Sequence, residues 1–146
     1  MIKHLRGLIF TSLAFLLINS STSLSEENLK FSLSKFNGNP LRGKAIVKDI
    51  NNVTCLICHI LPIPEEPNHG KIGPSLIGVG SRLTKERLRR QLIYPKALNP
   101  KSIMPSYFQI KELYRVSVKY VGKSIYTAQQ VEDVVAYLFS LKENQD

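Results

Sequence analysis

Only two cysteines, two methionines and three histidines occur among the 146 residues. No second cysteine pair is present to complete a four-ligand structural zinc site, since beyond the leader only Cys55, Cys58, His59 and His69 are on offer. Long apolar runs are scarce too: the one from Leu8 to Ile18 covers eleven residues, Thr11 and Ser12 among them. A bilayer span takes about 20, so no stable membrane insertion is expected. Asp and Glu total 11 against 20 Lys and Arg, yet no basic stripe interleaved with aromatics appears, which argues against nucleic acid as a partner. No carboxylate pair and no Ser-His-Asp grouping stands out; Glu65 and Glu66 read as solvated loop, so no bond-making catalytic residue is expected. Internal repeats and low-complexity tracts are also lacking.

What is present begins with a leader. Lys3 and Arg6, the apolar run and a Ser/Thr-rich stretch follow the order of a secretory signal peptide over residues 1–25, with the cut between Ser20 and Glu26. The expected location is therefore periplasmic. Removing the leader takes two cations and no acid, so the formal charge falls from +9 to +7, and about 121 residues remain, enough for one domain. The positive excess points to an acidic protein partner or substrate. Its densest cluster, RLTKERLRR from Arg82 to Arg90, reads equally well as a solvated helix face or a docking patch.

Residues 26–38 show no sustained periodicity and read as a loose arm, and 143–146 as a tail; the packed domain runs from 39 to 142. Asn39 suits an N-cap with Pro40 at the first helical position, and Leu41, Ala45 and Ile46 then share a face. Thr84 suits a cap for a short helix carrying Leu88 and Leu92 and ending before Pro95. Thr127 and Gln130 form a capping-box pair ahead of Val131, Val134, Val135, Leu138 and Leu141 at helical spacing. Between these, LYRVSVKYVG alternates Tyr114, Val116, Val118 and Tyr120 with polar residues, which predicts a half-buried strand or one arm of a hairpin near 113–125. The stretches from Ile60 to Gly80 and from Pro95 to Ser106 read as long ordered loops. Such loops bring little apolar surface to a small core, so something else should supply one.

The segment TCLICHI, Thr54 to Ile60, holds both cysteines and His59. A disulfide between Cys55 and Cys58 would close too short a loop to stabilise much and would leave His59 unexplained. A thioredoxin-like redox pair wants a βαβ setting that this chain lacks. Covalent haem accounts for all three residues: two thiols one helical turn apart add to the two vinyl groups, and the adjacent imidazole lies beneath the iron. A flat apolar ring would also serve as the missing core.

For the opposite face of the iron, the mature chain offers Met104 and His69. Met104 is favoured, because it sits in the Pro-flanked loop NPKSIMPSYF, far enough along to come round, whereas His69 lies in a loop that packs on the His59 side. His69 then reads as a surface residue. A carbonyl near Pro74, in GKIGPSLIGVG, is a candidate acceptor for the Nδ1–H of His59, and the same residues suit an ordinary Gly/Pro turn equally well.

The order helix, C-x-x-C-H, Gly73-Pro74-Ser75-Leu76, Met104, helix resembles class I c-type cytochromes. The phrases GKAIVKDINNVTCLICH, IGPSLIGVGSRLT, LIYPKALNPKSIMPSYF and IYTAQQVEDVVAYLFSLK are similar, more narrowly, to the SoxX family, the monohaem subunits of SoxAX thiosulfate-oxidising complexes. The resemblance covers residues 39–142. It implies an all-α cytochrome c fold of short helices and long loops around one covalent haem c. It implies thioether links at Cys55 and Cys58, axial His59 and Met104, and cofactor contacts at Pro74 and Leu76. It further implies a SoxA-type partner subunit, where thiosulfate is joined oxidatively to a cysteine of a SoxYZ-type carrier, and a downstream electron acceptor. This chain would receive electrons as part of an L-cysteine S-thiosulfotransferase complex. The alternatives are a free-standing soluble electron carrier to an oxidase, and a non-haem disulfide or metal-binding periplasmic protein. Tyr107, Phe108 and Tyr114, beside the Met104 loop, could form a permanent interface or pack on the haem, the second being favoured.

Overall fold

The computed structural model describes residues 33, 35–111 and 113–143. The leader, most of the 26–38 arm and nearly all of the tail lie outside the described residues. The chain divides into two units, Met1–Lys35 and Phe36–Asp146, and the second holds all the helices named below.

The first helix, α1 (Pro40–Lys48), starts where Asn39 accepts the backbone N–H groups of Leu41 and Arg42, with Pro40 at its first position. Helix α2 is a single turn, Val79–Arg82. Helix α3 (Lys85–Ile93) is capped by the Thr84 hydroxyl, which accepts Arg87 N–H, and stops ahead of Pro95. Helix α4 (Ala128–Ser140) opens on a full capping box: Thr127 Oγ1 accepts Gln130 N–H while the Gln130 side chain accepts Thr127 N–H. Short 3-10 turns lie at Cys55–Ile57, Pro95–Ala97 and Val118–Tyr120.

Helix α4 is the centre of the packing and touches α1, α2 and α3. Its buried stripe of Val131, Val134, Val135 and Leu138 meets Val47 of α1 and Leu88 and Leu92 of α3. Each such side chain is worth about 1.5–3 kcal/mol when fully withdrawn from water. Two acids on α4 are buried and each is paired with an arginine. The Asp133 carboxylate accepts from Asn39 N–H, from two nitrogens of Arg42 on α1 and from Gln129, while Glu132 takes a two-pronged contact from Arg89 on α3. These pairs fix the register of both helices on α4.

Three expectations change. Leu41 is 78% exposed and Ala45 is exposed; the buried positions of α1 are Gly43 and Val47, with Ile46 half-buried. The reason is the closeness of the crossing: a Cβ on Gly43 would stand 2.0 Å from the Asp133 carbonyl oxygen, so the point of nearest approach takes the smallest residue. The alternating segment near 113–125 forms no strand. It is a run of bends and turns with one 3-10 turn, in which Tyr114 is 83% and Val118 93% exposed and Arg115, at a left-handed φ of 57°, interrupts the extended run. The basic cluster from Arg82 to Arg90 is in large part engaged. Arg89 is the half-buried partner of Glu132, Arg82 donates to the Ile77 and Ser75 carbonyls and pairs with Glu143, and Lys85 lies over the Phe139 ring.

Candidate cofactor site

The two thiols stand on a tight 3-10 turn built by Thr54. Its hydroxyl donates to the Val47 carbonyl at the end of α1, 2.6 Å away, and accepts Leu56 N–H. The N–H groups of Cys58 and His59 both return to the Cys55 carbonyl. Both cysteines are free. Cys55 is buried, and burial pushes its thiol up to about 11 even though the neighbouring Tyr107 and Tyr126 hydroxyls oppose the shift. A thiol so firmly protonated is the opposite of an activated redox dithiol. Among the described residues no group of three or more His, Cys, Asp or Glu side chains is gathered for a metal ion.

His59 is held by the loop that follows it. Gly70 N–H donates to the Leu56 carbonyl, Gly73 N–H to that of Cys58 and Leu76 N–H to that of Ile60, so the chain from 70 to 76 is laid back along 56 to 60. This brings the Pro74 carbonyl 2.7 Å from His59 Nδ1. A carbonyl oxygen can only accept, so the proton is on Nδ1 and the Nε2 lone pair is free for a metal. A Cβ on Gly73 would lie 2.3 Å from His59 Cε1; glycine is there because the flat of the ring needs that space. Leu76 is half-buried behind it.

Met104 sits on the other loop. After it, Tyr107 N–H donates to the Leu92 carbonyl and Gln109 N–H to that of Ile93, two acceptors in the last turn of α3 that have no partner within the helix. Tyr107, 4% exposed, stacks on Tyr126 at 4.6 Å, and both rings bear on Cys55, which joins the Met104 loop to the cysteine turn. Tyr126 also donates to the Val53 carbonyl. Tyr107 is therefore core, whereas Tyr114 is open to solvent. Between the loop and the 113–125 segment lies a cavity of about 450 Å³, with Met104, Val53 and Ile125 on its wall and three cations, Lys96, Arg115 and Lys123, around it.

His69 is not a simple surface residue. Its Nδ1 accepts Leu61 N–H across 3.3 Å, and its Nε2 is buried with no hydrogen-bond partner among the described residues. Two contacts had no sequence signal: the Gly73 approach to the imidazole and a hydrogen bond from Gln91 Nε2 on α3 to Met104 Sδ at 3.6 Å. Neither residue carries a pattern that names its contact.

The arrangement offers two free thiols, an imidazole with its outer nitrogen available and a thioether, which is the donor set of a covalent haem with nitrogen and sulfur axial ligands. Large apolar side chains are exposed on both loops, Ile57, Ile72 and Ile77 on one and Ile103 on the other. A flat apolar ligand would cover such surface.

No protein-family model and no curated protein matches the chain. Among solved structures, the crystal structure of SoxXA from P. pantotrophus matches at 34% identity with a TM-score of 0.64, over 73% of this chain and 84% of that one. The chain belongs to the SoxX family. Its helices and loops are accordingly those of an all-α, cytochrome c-like fold, as the sequence resemblance implied. Within this SoxX-family chain, no helix among the described residues is long and apolar enough to cross a membrane.

Proposed function

We propose that this chain is the electron-accepting subunit of a periplasmic SoxAX-type complex and carries one covalent haem c. The reading rests above all on His59, whose Nδ1 is tied to the Pro74 carbonyl directly after two free thiols, leaving Nε2 available. Cys55 and Cys58 would hold the ring by thioether bonds, His59 and Met104 would be its axial ligands, and Pro74 and Leu76 would steady the His59 side. When bound, haem supplies a one-electron acceptor of positive potential. The protein's own task is to orient His59, exclude water through Tyr107, Tyr126 and the apolar loops, and meet the ring's carboxylates with Lys96, Arg115 and Lys123.

A SoxA-type subunit is the proposed partner, consistent with the SoxXA neighbour, and the SoxYZ-type carrier and downstream acceptor would be reached through the complex. Tyr114, Val118 and Val121, all strongly exposed beside the Met104 loop, favour a permanent apolar interface over the small charged contact of a free shuttle. The thiosulfate chemistry would take place on the partner, and this chain would contribute electron transfer only.

The test is expression of the full chain in a host that matures c-type cytochromes, with reduced-minus-oxidised spectra of native and denatured protein. Expected is one haem that survives denaturation and a weak far-red sulfur-to-iron band that is lost in Met104→Ala and kept in His69→Ala. A chain that matures without covalent haem would overturn the reading and return Cys55 and Cys58 to a disulfide or metal role.

A further inference from the structure

The geometry points to Gln91 as the residue that sets the donor strength of Met104, an inference that rests on the ligation reading above. Gln91 lies on α3 between the buried Leu88 and Leu92, and its amide Nε2 donates to Met104 Sδ across 3.6 Å. A thioether sulfur has two lone pairs and is a weak acceptor, so one can face a metal while the other takes the amide N–H.

Three features make this a built contact. Gln91 is half-buried on a helix whose C-terminal carbonyls hold the chain just beyond Met104, through Tyr107 N–H on Leu92 and Gln109 N–H on Ile93, so donor and acceptor are carried on one rigid piece. That helix is itself locked to α4 by Arg89 and Glu132. On the near side, Met104 N–H is held by Ser102 Oγ at 3.2 Å, which limits how far the thioether can swing away.

The consequence follows from elementary electrostatics. An N–H aimed at sulfur withdraws electron density from it, and a poorer donor stabilises the oxidised, more positive iron less than the reduced one. Gln91 therefore raises the reduction potential. It is a positioning residue, acting on the metal only through Met104.

The experiment compares holoprotein of the parent chain, Gln91→Leu and Gln91→Asn, reading covalent haem content, midpoint potential and the far-red sulfur-to-iron band. Gln91→Leu should keep haem and band, with the equilibrium for reduction falling roughly three- to tenfold, the size of one net hydrogen bond. At 59 mV per tenfold that is a fall of about 30–60 mV. Gln91→Asn keeps the amide one methylene short of the sulfur and should fall by the same amount, which separates contact from local polarity. If Gln91→Leu fails to mature, Gln91→Asn carries the test alone. An unchanged potential in haem-bearing variants, or a fall in Gln91→Leu with none in Gln91→Asn, overturns the role of Gln91 while leaving the ligands intact. A parent chain without covalent haem, or a band that survives Met104→Ala, overturns the ligation reading and this one with it.

Discussion

The loop behind His59 and the loop around Met104 are anchored by different means. The first is tied by backbone to its own neighbourhood: Gly70, Gly73, Leu76 and the Pro74 carbonyl all bond to residues 56–60, so the imidazole is oriented by a closed set of short-range contacts. The second is tied to the last turn of α3. Its anchors fall after Met104, and the ligand-bearing residue itself has one local cap from Ser102 and one side-chain contact from Gln91. On the proposed ligation, the difference teaches how one site would combine a ligand of fixed geometry with one whose strength is adjustable. On the His59 side a substitution acts through space and orientation; on the Met104 side it acts through the strength of a single weak acceptor.

The sharpest way to break the His59 side is Gly73→Ala. The new methyl would stand 2.3 Å from Cε1 and 2.6 Å from Nδ1 of a ring already pinned by Pro74, so the ring must tilt away from that carbonyl. Overpacking of this kind costs about 1–3 kcal/mol. Thermal unfolding of the holoprotein should show that loss, with a reduced yield of covalent haem. An unaltered melting temperature and haem yield would mean that the loop is looser than its hydrogen bonds suggest.

Acid should next test the scaffold that both loops share. Backbone hydrogen bonds on the His59 side do not titrate, whereas the helix scaffold behind both loops relies on Asp133, whose side chain is 3% exposed. Burial alone would raise that carboxyl, but the bonds from Arg42, Asn39 and Gln129 outweigh it and hold it below its usual range. A carboxyl lowered in the folded state binds fewer protons there than in the unfolded chain. Its stabilisation is thus present above the unfolded value near 3.9 and is lost as pH falls through the lower folded value. Melting temperature should drop on acidification below about pH 4, and Asp133→Asn should start lower, by about 1 kcal/mol, and drop less steeply over the same range. Parallel acid limbs in the two proteins would remove Asp133 from the account.

How much of this was legible in the sequence depended on whether a residue pattern carries the contact. The caps at Asn39, Thr84 and Thr127 are local patterns that the structure has as read, and the stripe on α4 holds from Val131 to Leu138, with Leu141 falling at the half-buried C-cap beyond the helix. The Pro74 carbonyl was readable as a candidate because a Gly-Pro turn follows the C-x-x-C-H segment. The buried face of α1 was misread because pattern favours large apolar residues, while the tightest crossing takes Gly43. Alternation at 114–120 signalled a strand, but Arg115 adopts a left-handed φ of 57° that breaks the extended run. Gly73 against the imidazole and Gln91 against Met104 had no signal at all, since neither a glycine in a Gly/Pro turn nor a glutamine on a helix carries a pattern that names its contact.

The smallest effect should come from Ser102→Ala. The Ser102 hydroxyl accepts Met104 N–H at 3.2 Å, a partly buried contact of the kind that caps a turn, and its loss costs about 0.5–1 kcal/mol. Because the chain beyond Met104 stays fastened to α3 through Tyr107 and Gln109, that cost should fall on the ligand residue and leave the fold nearly untouched. Titration of the oxidised holoprotein with imidazole, which competes for the Met104 position, should then show binding about two- to fivefold tighter than in the parent chain, the equivalent of that energy. The same titration in Gly73→Ala tests the contrast between the loops: if Met104 is displaced as readily there as in Ser102→Ala, the two sides of the site are one mechanical unit, and the separation into a fixed and an adjustable ligand fails.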